Sequence, residues 1–322
     1  MAAVLDPSAD KSGRKSGRSL AVAFAVMVAL FAIAPFVAYP IFLMKALCFA
    51  LFACAFNLLI GYVGLASFGH ALFFGWASYV TAYAVKTWGL SPELAIIAGA
   101  ATAAVLGLIV GSLAIRRQGI YFAMITLALS QMMYFFALQA KFTGGEDGIQ
   151  GVPRGRLCGV FDLSNEMTMY VFVVVVVLAG FLLIYRIINS PFGEVLKAIR
   201  ENEQRAISLG YAVDRYKLVA FVLSATLSGL AGSLKALVFQ LASLTDVHWT
   251  MSGDVLLMTL LGGLGTVFGP VVGAFLVVAM QNYLAPFGQW VLVIQGAIFV
   301  ICVLAFRRGI VGEIARLLRV AL

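Results

Sequence analysis

The sequence predicts an all-α fold, a polytopic transmembrane helical bundle of about ten spans. Three observations carry that prediction. Of the 322 residues, 63% are hydrophobic. Only 11% are charged, where soluble domains run at about a quarter. The apolar residues also gather in continuous runs, and the mean hydropathy is +1.03. A soluble core could not hide this much apolar surface, so lipid is the solvent. An unpaired backbone group in hydrocarbon costs several kcal/mol, which leaves helices or a closed barrel as spanning elements. Barrel strands are alternating segments of about ten residues. The runs here are longer and unalternating, so the spans are helices.

A hydrocarbon layer about 30 Å thick takes about 20 apolar residues per helix. The candidate spans are 20–39, 42–60, 71–85, 94–115, 119–138, 168–188, 218–239, 255–267, 271–286 and 290–306. The third and eighth are short, and the count falls to eight if they only re-enter the membrane. The first run follows Lys11, Arg14, Lys15 and Arg18 and imitates a secretory signal. It is longer than a signal core, and Pro35 would follow the scissile bond. An uncleaved first span behind a disordered cytoplasmic tail, 1–18, is therefore expected.

Orientation follows from Lys and Arg near the span ends. With the N-terminus inside, sixteen of the 22 basic residues fall on the cytoplasmic side. They are the four of the tail, Arg116 and Arg117, six from Arg186 to Lys217, and four from Arg307 to Arg319. Both termini are then cytoplasmic and the spans even in number. The helical domain runs over 19–309, ahead of a cytoplasmic C-terminal tail at 310–322. The net charge of +8 thus reports topology. A nucleic-acid partner would need basic residues gathered on a soluble face, so membrane lipid is the surrounding instead.

Between the sixth and seventh spans, Val195, Leu196, Ile199, Ala206 and Leu209 recur near helical spacing with charges between them, and Gly210 supplies a stop. The spacing predicts a short amphipathic helix or helix pair within a cytoplasmic segment at about 189–217. A solvated linking loop is the plainer alternative.

Helices in lipid pack through small residues. Gly265, Gly269 and Gly273 form one such series, and Ser224, Ser228 and Gly232 another. The stretch LLGGLGTVFGP, 260–270, is too rich in glycine for an uninterrupted helix, and broken backbone at membrane depth must be buried in protein or face a watery cavity. Gly262, Gly263 and Gly265 are therefore candidates to line a pathway. The stretch GYVGLASFGHALFFG, 61–75, has the same character and adds Ser67 and His70, with Asn57 just before it. Ser130 and Gln131 are further polar residues within a span. His70 could relay protons, but no acid stands mid-span to partner it. Lys45, Lys235 and Asp254 fall near span ends, where long side chains snorkel.

Cys48, Cys54 and Cys302 lie in apolar runs and Cys158 in a polar loop. None shows metal-ligand spacing, and no cofactor or metal is expected. The motifs GxxxxGK[ST], GxSxG and HExxH are absent. The chain is not expected to be an enzyme or to hydrolyse ATP, so if it pumps, energy arrives through a partner.

Four segments together carry a family resemblance. FNLLIGYVGLASFGHALFFG (56–75), TGGEDGIQGVP (143–153), AIRENEQRAISLGYAVDRYKLVAF (198–221) and LLGGLGTVFGPVVGA (260–274) resemble the LivM-type permeases of branched-chain amino acid ABC transporters. The resemblance implies a multi-pass protein of the bacterial inner (plasma) membrane. Its partners would be a LivH-type permease, two cytoplasmic ABC ATPases and a periplasmic substrate-binding protein. Leucine, isoleucine and valine are the implied cargo; urea, short amides or other amino acids stay open, as does a stand-alone secondary carrier or channel. Within the cytoplasmic segment, Arg200, Glu201, Asn202, Glu203 and Arg205 are expected to meet an ATPase groove. Glu203, Ala206 and Gly210 match positions of the family's coupling helix. On the outer side Thr143, Gly144, Gly145 and Asp147 are candidates to touch the binding protein, with a simple exposed turn as the alternative.

Overall fold

The computed structural model describes residues 24–36, 38–157, 159, 161–288, 290–305 and 309–318. The predicted tail 1–18 and Cys158 lie outside them. Among the described residues the chain forms α1 (Phe24–Phe36), α2 (Pro40–Tyr62), α3 (His70–Lys86), α4 (Pro92–Ala114), α5 (Ile120–Gln139) and α6 (Glu166–Ile188). It continues through α7 (Pro191–Glu201), α8 (Glu203–Ser208), α9 (Val213–Phe239), α10 (Trp249–Gly262), α11 (Gly269–Leu284), α12 (Trp290–Ala305) and α13 (Gly309–Leu318). Each of the ten apolar runs coincides with one helix. Five of these, α2, α4, α5, α6 and α9, are long and apolar enough to cross a membrane. The shorter apolar helices include α1 and α11.

Local chemistry sets the boundaries. Proline opens α2, α4, α7 and α11, where its missing N–H is harmless and its fixed φ suits a first turn. Side-chain caps start others: Asn165 accepts from Met167 N ahead of α6, and Ser190 from Gly193 N ahead of α7. The eighth run departs from its predicted bounds. Its helix begins at Trp249 and ends at Gly262, because Gly263 adopts φ 121°, a backbone state open only to glycine.

Helix α2 is the central stave, and α6, α9, α10 and α11 pack on it. The small-residue series act as expected where they lie in helices. A Cβ on Gly232 of α9 would strike the carbonyl of Phe74 in α3, and one on Gly273 of α11 would strike the Met258 carbonyl in α10. Gly265 departs from its series: it sits in the α10–α11 turn at φ 75°, making a backbone shape rather than a helix contact.

The loops divide between two ends. At one, β1 (Ile149–Gln150) pairs antiparallel with β4 (Leu241–Ala242), and β2 (Arg156–Leu157) with β3 (Phe161–Asp162). Lys86 at the end of α3 donates to the Gln150 carbonyl at 2.6 Å, and Arg154 to that of Val238 at 3.0 Å. These two-residue ladders are an addition to the predicted all-helical architecture. At the other end, Gln118 in the α4–α5 turn donates to Glu203 of α8 at 2.9 Å. There a Cβ on Gly309, at the start of α13, would strike Gly263. The loops that charge counting assigns to opposite sides of a membrane thus sit at opposite ends of the bundle.

Lys235 corrects the snorkelling expectation. Its ammonium lies 2.6 Å from Asp246 Oδ2, and both side chains are buried. After α9 the chain folds back inward through a short 3-10 turn, Leu244–Asp246, and the turn carries the carboxylate to the lysine.

Candidate functional site

The basic end of the bundle is built around α7 and α8. Both begin on a polar cap: Ser190 for α7, and Asn202, whose Oδ1 accepts from Arg205 N at 3.0 Å, for α8. Asn202 therefore ends one helix and starts the next, which makes the segment a bent pair. Its inner face is apolar. Ile199, Ala206 and Val213 form a small cluster with Val195 and Tyr216 against them, and the Phe192 and Tyr216 rings stack at 5.6 Å. Gly210 closes α8 at φ 87°.

Glu203 faces the bundle. Its carboxylate meets Lys217 Nζ at 2.6 Å, with the lysine side chain only 3% exposed, and accepts from Gln118. Glu203 thereby joins α8 to α9 and to the α4–α5 turn. Glu201 and Arg205 are exposed. The outward apolar residues are Ile207, Leu209 and Tyr211, exposed by 51%, 69% and 40%. The Tyr211 ring meets that of Tyr216 edge-on at 6.1 Å.

Arg200 points the other way. Its guanidinium donates to the Gly61 carbonyl at the end of α2, and its stem lies along Gly64, which adopts φ 82°. Nearby in α2, Asn57 bridges to the α10–α11 turn. Its Oδ1 accepts from Gly265 N at 3.0 Å and its Nδ2 donates to the Thr266 carbonyl at 2.9 Å. A Cβ on Gly61 would strike Asn57 and approach Gly265 N, so the two glycine-rich breaks lie against each other. Gly262 is pressed on the Gly269 carbonyl, and Gly263 on Gly309. The structure thus gathers Asn57, Gly262, Gly263, Gly265 and Arg200 into one junction between the surface helix pair and two interrupted spans.

Ser67 and His70 sit beside this junction in closed surroundings. Ser67 Oγ accepts from Gly69 N at 3.2 Å, shaping the turn before α3. His70 is fully buried, ringed by Phe56, Phe73 and Phe221. Its Nε2 lies 2.9 Å from Ser224 Oγ, which itself donates to the Ala55 carbonyl at 2.6 Å. The serine hydroxyl is therefore the acceptor, the imidazole carries its proton on Nε2, and among the described residues Nδ1 has no hydrogen-bond partner. Ser130 is buried on α5.

At the opposite end, Thr143 is buried and its hydroxyl contacts the Ala137 and Ala140 carbonyls, each at 2.6 Å. It closes α5 rather than facing outward. Gly144 and Gly145 take positive φ, and Asp147 is exposed. In the neighbouring β2–β3 hairpin, the Ser164 amide holds the exposed Asp162 carboxyl below its ordinary pKa.

Sequence reasoning missed three features: the Arg200–Gly61 contact, the Glu203–Lys217 pair and the bridging role of Asn57. A lone amide in an otherwise apolar run was the available signal for Asn57, since a buried amide demands partners. Nothing local announces the other two, which join residues far apart in the chain. Among the described residues, no three His, Cys, Asp or Glu side chains are placed to hold a metal ion. The junction ties α7 to the end of α2 through Arg200, and α2 to the α10–α11 turn through Asn57.

Comparison with known proteins finds relatives of the chain. The profile of the family described as "Branched-chain amino acid transport system / permease component" matches residues 38–303. The high-affinity branched-chain amino acid transport system permease protein LivM of Escherichia coli K12 is 26% identical over 282 residues, covering 79% of this chain and 65% of that protein. A probable branched-chain amino acid transport permease protein LivH of Methanocaldococcus jannaschii is 26% identical, covering 71% of this chain and 76% of its own length. The ribose import permease protein RbsC of Bacillus subtilis is 29% identical over 56% of this chain and 58% of its own. The chain thus spans just under two thirds of the length of the bacterial LivM proteins it matches. No solved structure matches it.

Proposed function

Since the chain belongs to the family of branched-chain amino acid transport permease components, we propose that it is the LivM-type membrane subunit of an ABC importer for leucine, isoleucine and valine. A LivH-type permease completes the pathway, two ATPases supply the force in the cytoplasm, and a periplasmic binding protein delivers cargo. The observation that carries the reading is the junction: Arg200, on the helix pair where an ATPase would push, hydrogen-bonds the end of α2 beside the Asn57 bridge to the α10–α11 turn. A force generated elsewhere needs such a rigid route, because coupling travels through packed and hydrogen-bonded elements.

The exposed Ile207, Leu209 and Tyr211 are the apolar residues offered to the ATPase, with the exposed Glu201 and Arg205 as polar neighbours, since non-obligate interfaces combine an apolar centre with a polar rim. Gly144, Gly145, Asp147 and the two small hairpins form the surface offered to the binding protein. With the basic end inside, all ten apolar helices cross and both termini are cytoplasmic.

Reconstitution tests this directly. The chain with its partner permease, two ATPases and binding protein should take up leucine into liposomes when ATP is supplied, and the chain alone should pass none. Leucine flux through the chain alone would instead make it a stand-alone carrier. Calorimetry of the binding protein against leucine and urea decides between the implied cargo classes.

A further inference from the structure

Helix α5 has two faces. Phe122, Thr126, Ser130 and Ala137 are buried. On the opposite side Met124, Ala128, Gln131 and Phe135 advance by four, three and four residues, the spacing by which one helix packs along another. Met124 is 62% exposed and Phe135 58%, Ala128 is exposed and Gln131 half-buried. Of the five long spans α5 is the least buried, with 22% of its apolar stretch inside the bundle where α2 has 89%.

The chemistry of this stripe differs from that of the other exposed spans. Faces that meet only lipid need nothing but aliphatic side chains, and α4 and α6 present them: Val105, Leu108 and Ile109 on the first, Val171, Val175 and Leu182 on the second. Along α5 the exposed positions hold Met124, Met132 and Phe135 instead, and methionine and aromatic residues are enriched where proteins meet. Gln131 is the stronger sign. It is the twelfth of the 20 residues of α5, and among the described residues its amide makes no hydrogen bond. An amide left unpaired in hydrocarbon is costly. Lipid tails offer it neither donor nor acceptor, whereas polar groups on a neighbouring helix do.

We propose that the α5 stripe centred on Ala128 and Gln131 is the surface on which the LivH-type partner permease docks. Ala128 lets the two helices approach closely, Gln131 hydrogen-bonds across the contact, and Met124 and Phe135 pack on either side of it. A protein named as a LivH permease matches 71% of this chain, so the two kinds of bundle are alike. Two similar bundles pair most simply about an approximate two-fold axis, which sets the same face of each against the other. One helical stripe then serves as the centre of the contact. The inference rests on reading the chain as one member of a permease pair and adds the face by which it pairs.

Photocrosslinking in the assembled complex tests this. A p-benzoylphenylalanine placed singly at Met124, Ala128 or Phe135 should trap the partner permease, and the same group at Val105 of α4 or Val175 of α6, both 58% exposed, should not. Ala128→Trp is expected to lower recovery of the partner permease with the tagged chain by about tenfold, the effect of overpacking a close contact. Gln131→Leu should lower it by about threefold, the factor that one interhelical hydrogen bond is worth. Thermal unfolding of the Ala128→Trp chain should match the wild type, since the position is exposed. Adducts from α5 with lipid alone or with a second copy of this chain overturn the proposal, as does equal trapping of the partner from Val105 or Val175, or unchanged recovery in both variants. If the wild-type chain recovers no second permease at all, the reading of it as one of a pair has failed, an outcome that the wild-type control separates from the others.

Discussion

Asn57 shows how much one polar side chain can hold in an apolar helix. Its amide satisfies a donor and an acceptor of the half-buried α10–α11 turn, and truncation removes both hydrogen bonds. Side-chain hydrogen bonds between membrane helices average about 0.6 kcal/mol each. Asn57→Ala should therefore lower unfolding stability in micelles by about 1 kcal/mol, read by denaturant titration, and leucine uptake by the complete complex should fall with it. A variant as stable as the wild type would remove Asn57 from the junction. At this scale the sequence was readable in kind but not in pairing. Arg200, His70 and Asn57 stood out as polar residues in significant places, yet their partners lie across 139, 154 and 208 positions of chain. Only the packed structure brings those partners together.

The helix pair α7 and α8 was legible because an amphipathic period and a glycine stop are both local signals. The inward turn at Leu244–Asp246 was not, since its short polar segment reads the same whether it stays outside or folds back to meet Lys235. The exact course of α10 was hidden for a related reason: several glycines could have ended the helix, and packing of Gly273 on the Met258 carbonyl helps decide which one does. The pair also supplies the cleaner mutational probe of coupling. Glu203→Arg would place a second cation beside Lys217 and loosen α8 from α9, mixing folding with function. Leu209 is 69% exposed, so Leu209→Asp should leave insertion intact. It should cut ATP-driven uptake by about tenfold or more, as loss of an apolar contact at an interface centre does. Measuring uptake beside ATPase co-purification checks this, and unchanged values for both would place the docking surface elsewhere.

At the scale of the molecule, the apolar runs and the asymmetry of basic loops already implied a two-ended bundle, because lipid imposes helices and charge imposes sides. The structure adds that the two glycine-rich breaks meet at the basic end, where the helix pair also docks. The proposed ATPase surface requires 189–217 to lie inside the cell. Sidedness of labelling tests that claim most directly. Cysteines introduced one at a time at Leu209 and Asp147, in a background with Cys158 and Cys302 replaced and only the buried Cys48 and Cys54 kept, would be exposed to a membrane-impermeant maleimide in intact cells and in inverted vesicles. The account predicts labelling of the Asp147→Cys protein from outside only and of the Leu209→Cys protein from inside only. Labelling of the cysteine at position 209 in intact cells would contradict it.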